Sequence, residues 1–278
     1  MIAAFLRGDL FLVANRRRRL RSVLLVGGLS KASPSIMVSS SMGYRRTPFA
    51  PNEWYHCFSR GIDGRIIFTD STDFRRFMEL LYLVNDTQAV DRALIKTLRY
   101  EDILQLSRKE QLVAIGAYCL MDNHPHLLLQ EKMEGGISKF MHKLGTAYTM
   151  YFNIKNKRIG NLLVRPFRSK HIPDDRYLRR VAQYIHLNPA KLFDSGWKSG
   201  GVEDLKKLEQ KLQGYEYSSL LDYWGTVRPE ATILDKEAFS LIKNNLPPLK
   251  EVIADTHAYY KEQASEFSLR KSKASPSI

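Results

Sequence analysis

Two apolar runs held apart by two polar residues constrain this chain more than any other feature. Residues 113–121 read VAIGAYCLM, residues 124–130 read HPHLLLQ, and Asp122-Asn123 lies between them. Length and composition make each run a strand, and a two-residue connection makes the pair a tight antiparallel hairpin. The flanking segments supply partners. Residues 54–58 (WYHCF) read as an aromatic strand ending at Arg60-Gly61. Thr72 or Asp73 can cap a helix on which Phe74, Phe77, Met78, Leu81 and Tyr82 recur at helical spacing. Residues 86–110 are charged and helical in pattern, like an inserted segment. Residues 136–155 carry a stripe of Ile137, Phe140, Met141, Leu144, Tyr148 and Tyr151. Residues 162–172 form a basic strand or extended loop, and Asp174-Asp175 opens a helix that Asn188-Pro189 closes. Helices alternating with strands, two of them in a hairpin, predict an α+β domain with an antiparallel sheet.

The expected organisation is a basic, disordered extension over residues 1–50, a folded domain over 51–225, and a charged, partly helical tail over 226–278. The extension carries Arg16-Arg17-Arg18-Arg19 and a serine-rich tract, a composition that also suits a transit peptide. Met37 and Met42 offer alternative translation starts. Ser30-Lys31-Ala32-Ser33-Pro34-Ser35-Ile36 recurs identically at residues 272–278, which suggests a short DNA repeat translated at both flanks. Across the 278 residues, 43 Lys and Arg against 29 Asp and Glu give a net charge of +14, which favours a polyanionic partner. The two cysteines, Cys57 and Cys119, lie in strand segments without CxxC spacing and read as buried, reduced thiols of a cytoplasmic protein. No apolar run is long enough for a membrane span.

The residues that carry chemistry fall in two segments. His124 and His126, two apart on a strand, project to one face and can reach a single cation. In the helix that follows, Tyr184 and Asn188 are four apart and share a face. In isolation a helical Tyr-x-x-x-Asn is more often structural than catalytic. A tyrosine hydroxyl with a pKa near 10 is a weak nucleophile, so attack on phosphorus needs a metal or cationic groups beside it. The histidine pair could hold that metal, with Asn188 adding an amide oxygen. Tyr177, seven residues before Tyr184, competes for the nucleophile's role, as do Tyr148 and Tyr151.

MDNHPHLLLQ and QYIHLNPAKL, in this order, resemble the IS200-like single-tyrosine transposases, and among them the branch associated with repetitive extragenic palindromes. The likeness runs from about residue 51 to 225 and takes in residues 61–68, 136–141, 151–153, 160–170 and 215–219. It implies an RRM-like (ferredoxin-like) antiparallel sheet with helices packed on it. It also implies a divalent ion, magnesium or manganese, on His124, His126 and Asn188, and Tyr184 as the nucleophile. Such enzymes cut folded single-stranded DNA, keep the 5′-phosphate on tyrosine and release a 3′-hydroxyl.

Pro125 stands where the family has a bulky apolar residue. It cannot donate a ladder hydrogen bond, so the strand must have an unpaired side or a bulge there. A second reading of the same residues is therefore a nucleic-acid-binding protein of this fold that no longer cuts. DNA contacts are expected from Arg165, Arg168 and Lys170, alternating around Phe167, from Arg179 and Arg180 on the tyrosine helix, and from a basic arm, Arg45 and Arg46. The expected partner is single-stranded or hairpin DNA, not a membrane, bound by a monomer or a homodimer.

Overall fold

A computed structural model describes residues 48–89, 91–194, 197, 204–243 and 251–253. Arg45, Arg46, the arginine block and both copies of the repeated heptapeptide lie outside the described residues. The chain runs β1 (Trp54–Phe58), α1 (Ser71–Leu83), α2 (Arg92–Ile95), α3 (Tyr100–Ile103), β2 (Val113–Met121), β3 (His124–Glu131), α4 (Gly136–Lys155), β4 (Arg168–Ile172) and α5 (Asp175–His186). The strands pair antiparallel in the order β2-β3-β1-β4. With α1 and α4 as the two crossovers, this is the ferredoxin-like α+β arrangement.

The two faces of the sheet are told apart by strand alternation. Tyr118 and Leu127 are paired in register, and so are Cys119 and His126, so these two pairs point to opposite sides. Tyr118 reaches Met78 of α1, which places α1, and the α4 packed on it, on that side. The side shared by Cys119 and His126 faces α5. Both faces are covered, which is why every residue of β2 is buried.

The hairpin forms as its composition predicts, Met121 opposite His124 across Asp122-Asn123. Pairs next to a two-residue turn alternate between hydrogen-bonded and not, so Pro125, opposite Leu120, turns its nitrogen away from β2. Pairing with β1 begins only at His126. Pro125 thus stands past the end of the β1 ladder, where no donor is needed. A register shift falls instead between Ile115 and Ala117, at Gly116. A side chain there would meet the Trp54 ring at 3.0 Å and Ile242 at 3.1 Å. At the other end of the hairpin, a Cβ on Gly136 would lie 2.2 Å from the Leu112 carbonyl oxygen, so α4 can start here only with glycine. Glu131 receives the Ile137 N–H at 2.7 Å and completes that helix start.

Several local expectations change. The cap of α1 is Asp70, which accepts from Thr72 and Asp73, rather than Thr72 or Asp73. Asp73 is fully buried inside the first turn and receives Thr69, Tyr151 at 2.9 Å and Lys155 at 2.6 Å, tying α1 to the end of α4. The charged segment 86–110 is not one helix but holds the short α2 and α3. Asp86 accepts the backbone N–H groups of Gln88 and Lys109 and so competes with helix formation. Strand β4 begins only at Arg168, so Arg165 lies in the connection before it.

Helices α6 (Ala190–Phe193), α7 (Leu205–Gln213) and α8 (Leu220–Tyr223) build a small second core around Trp197, Leu208 and Leu212. Residues 217–219 cover the outer edge of β2, with Leu120 N–H donating to Tyr217 at 3.0 Å and Ser219 N–H to Tyr118 at 3.0 Å. The main core continues past residue 225. Ile233, Leu234 and, from α9 (Lys236–Lys243), Ala238 and Ile242 are buried in it. Cys57 and Cys119 are both buried and form no disulfide with each other. Among the described residues, no helix is long and apolar enough to cross a membrane.

Two stability predictions follow from this packing. Burial would raise the Asp73 carboxyl, but the bonds from Lys155, Thr69 and Tyr151 outweigh burial and hold it below the ordinary range. A depressed carboxylate contributes stability that is complete above its unfolded pKa of about 3.9 and is lost as pH falls through the folded value. Asp73→Asn should therefore cost on the order of 2–3 kcal/mol near neutrality. In urea titrations its deficit relative to the parent should shrink below about pH 4. Pro125→Val should cost no more than about 1 kcal/mol, the loss expected from a looser unfolded chain alone. A larger loss in the same titrations would show that the strand end needs proline.

Candidate active site

The site grows out of the sheet face beneath α5. Phe58 pairs with His126 and with Arg168, while His56 pairs with Leu128 and with Lys170. His56, Phe58, His124, His126, Arg168 and Lys170 therefore share one face. The His124 and His126 rings are 4.6 Å apart, centroid to centroid. Helix α5 is started by Asp174, which accepts the Tyr177 N–H at 2.7 Å, and is held down by Leu178, Val181, Ala182 and Ile185. That packing fixes the rotation of the helix and sets the Tyr184 ring edge-on to His126 at 5.7 Å and to His56 at 5.6 Å. One turn later Asn188, 2% exposed, donates through Nδ2 to the Tyr184 carbonyl at 2.9 Å, leaving Oδ1 as its remaining polar side-chain atom.

A pocket of about 360 Å³ opens at this point, lined by His124, His126, Tyr184, Asn188, Arg168 and Lys191, with residues 58–60 on its rim. His126 titrates well below the ordinary histidine range. Burial is the main cause, followed by the fields of His56, His124 and Lys191. Burial, then Lys170 and His124, pushes His56 down to about 3. Both rings are therefore neutral at physiological pH, the state that can offer a lone pair.

His126 Nδ1 lies 2.9 Å from His56 Nε2, while its own Nε2 is buried with no hydrogen-bond partner. An unsatisfied imidazole nitrogen on the wall of a polar pocket is the kind of atom a bound cation would satisfy. Among the described residues no cluster of three or more His, Cys, Asp or Glu could hold a metal ion. A cation here would instead have two imidazoles, the Asn188 amide oxygen, and oxygens from water or substrate. Such a mixed nitrogen–oxygen set fits a divalent ion, manganese more readily than magnesium.

The other expected residues divide by position. Tyr148 and Tyr151 lie on the opposite side of the sheet, bonded to the Ile67 carbonyl and to Asp73. Tyr177 sits farther along α5, its ring under the Lys170 ammonium at 5.4 Å. Arg168 lines the pocket and Lys170 shares its face, but Arg165 does not alternate with them, because the strand starts after it. Phe167 is half-buried and lies parallel to the Phe49 ring at 6.1 Å. Arg179 and Arg180 are half-buried on α5 and are not among the pocket residues. Sequence reasoning missed His56, Arg60 and Lys191. The first two follow from the i, i+2 alternation that singled out the pair and from the strand end that meets it. Lys191 lies seven residues after Tyr184, the spacing that had drawn attention to Tyr177.

Residues 87–188 match the family model of the IS200-like transposases. No curated protein matches the chain. A REP-associated tyrosine transposase solved with a REP hairpin is similar at 13% identity and a TM-score of 0.39, covering 67% of this chain and 88% of that one. Residues 87–188, the region that holds both the histidine strand and the tyrosine helix, are thus similar to the IS200-like transposases.

Proposed function

We propose that this protein is a metal-dependent endonuclease and strand transferase for hairpin-forming single-stranded DNA, with Tyr184 as its nucleophile. One juxtaposition carries the reading. Among the described residues, the one tyrosine lining the pocket stands beside two imidazoles and an amide, with Arg60, Arg168 and Lys191 lining the same pocket. His124, His126 and Asn188 would hold the ion. Bound there, it would polarise the scissile phosphate and offset charge on the attacking and leaving oxygens.

The protein's own groups do the rest. Packing of α5 presents the Tyr184 hydroxyl to the pocket at a fixed rotation, which lowers the entropic cost of attack. Arg168 and Lys191 would neutralise the phosphodiester, and Lys170, Arg165, Arg179, Arg180 and the Arg45-Arg46 arm would track the flanking phosphates. As the Tyr184 oxygen bonds to phosphorus, the bond to the 3′-oxygen breaks. The phenol gives up its proton and the departing oxygen takes one up. The result is a 5′-phosphotyrosine and a free 3′-hydroxyl. The phosphotyrosine preserves the bond energy, so attack by another 3′-hydroxyl reverses the step and joins a new strand.

Pro125 was the reason to consider a protein that binds without cutting. Its place past the β1 ladder removes any need for the proline to distort the histidine strand. The test is a hairpin oligonucleotide incubated with the protein and manganese, read as a covalent adduct that survives denaturing electrophoresis. Tyr184→Phe should lose at least about 10³-fold in adduct formation, and His126→Ala should lose it as well. An adduct that persists in Tyr184→Phe would reject this nucleophile. Binding with no adduct in either manganese or magnesium would establish the binding-only protein. Arg168→Ala should weaken binding and reduce the slope of log K against log salt by about 0.7, the share of one single-strand phosphate contact.

A further inference from the structure

An imidazole can ligate a cation only through a nitrogen that carries no proton, so the tautomer of each histidine matters as much as its position. A hydrogen bond sets the tautomer of His124, and a buried nitrogen without a partner bears on that of His126. Asn123, in the hairpin turn, donates through Nδ2 to the Gly64 carbonyl at 3.1 Å. A carbonyl only accepts, so the amide cannot be turned the other way. Its Oδ1 therefore faces His124 Nδ1 at 2.5 Å and accepts from it. His124 must then carry its proton on Nδ1, leaving the lone pair on Nε2. On the other ring, His126 Nδ1 lies 2.9 Å from His56 Nε2. If His126 carried its proton on Nε2, an N–H donor would be buried without a partner, since that atom has none. With the proton on Nδ1, His56 accepts it and Nε2 keeps a lone pair, on a residue that lines the pocket.

We infer that Asn123 and His56 are positioning residues that set the tautomer and ring orientation of His124 and His126, so that both present an Nε2 lone pair to one cation. The inference rests on the metal reading above but concerns different residues. His56 is buried on β1, is not a pocket-lining residue and would touch neither ion nor DNA. Asn123 sits in the two-residue turn between β2 and β3. The arrangement joins three separate parts of the chain. The turn after β1 supplies the Gly64 carbonyl, β1 supplies His56, and the hairpin supplies the pair.

Two measurements test this on the full chain. In the metal-free protein, two-bond proton–nitrogen correlation spectra read each tautomer directly. Both histidines are expected to carry the proton on Nδ1, and a proton on Nε2 of either would overturn the inference for that ring. Manganese binding is then titrated calorimetrically with thermal melts as a control for folding. His56→Phe and Asn123→Ala should each weaken the ion by about 10- to 100-fold, the usual effect of losing such a partner. His56→Gln, which keeps an acceptor, should recover most of the affinity. Folded His56→Phe and Asn123→Ala proteins that bind manganese as the parent does would overturn the positioning role. If the parent binds no more tightly than His126→Ala, the metal reading itself fails, and the tautomer spectra still decide the inference.

Discussion

The register of the β2–β3 hairpin is the constraint on which everything else rests. A strand repeats every two residues, so a slip of one position would send both histidines to the opposite face. The two-residue turn at Asp122-Asn123 prevents that slip by pairing Met121 with His124. Burial enforces it again, because Leu127 and Leu129 must face α1 and α4 while His126 and Leu128 face α5. The same turn that sets the register also holds one of the rings, through Asn123. The shape of the hairpin and the orientation of its donors are thus one feature.

The site is assembled by three kinds of force acting at different ranges. Apolar burial of the underside of α5 fixes how the helix is rotated, and so where Tyr184 and Asn188 point. Hydrogen bonds to Asn123 and His56 then orient the two rings. Burial keeps the His126 ring neutral, while Arg168 and Lys191 line the pocket where an anion could reach them. A charged imidazole pair beside them would repel both the metal ion and its neighbours. Neutral rings and nearby cations are compatible because burial first, and then the field of Lys191, both disfavour the charged form of His126.

The elements easiest to read in the sequence were those with strong periodicity or sharp punctuation. Residues 136–155 form one helix because an uninterrupted apolar stripe needs a single buried face. The helix opened by Asp174 and closed by Asn188-Pro189 carries its own stop signals. Segment 86–110 was misread because charge and helical spacing say nothing of Asp86, whose carboxylate binds backbone N–H groups on both sides of the insertion. Residues from 226 onward read as a charged, partly helical tail, since Ile233, Leu234, Ala238 and Ile242 are too sparse to mark a core. They are buried only because β2 leaves an apolar surface beside Gly116.

The sequence by itself determined the hairpin, the shared face of His124 and His126, and the helical alignment of Tyr184 with Asn188. Each of these depends on spacing within one element, and spacing is written in the chain. Only the tertiary structure decided that the histidine face and the tyrosine face meet. It also decided that Tyr148 and Tyr151 lie across the sheet, and that His56 stands behind His126. Those facts depend on strand order and on which side of the sheet each helix covers. Packing among residues far apart in sequence sets both, and no local pattern records them.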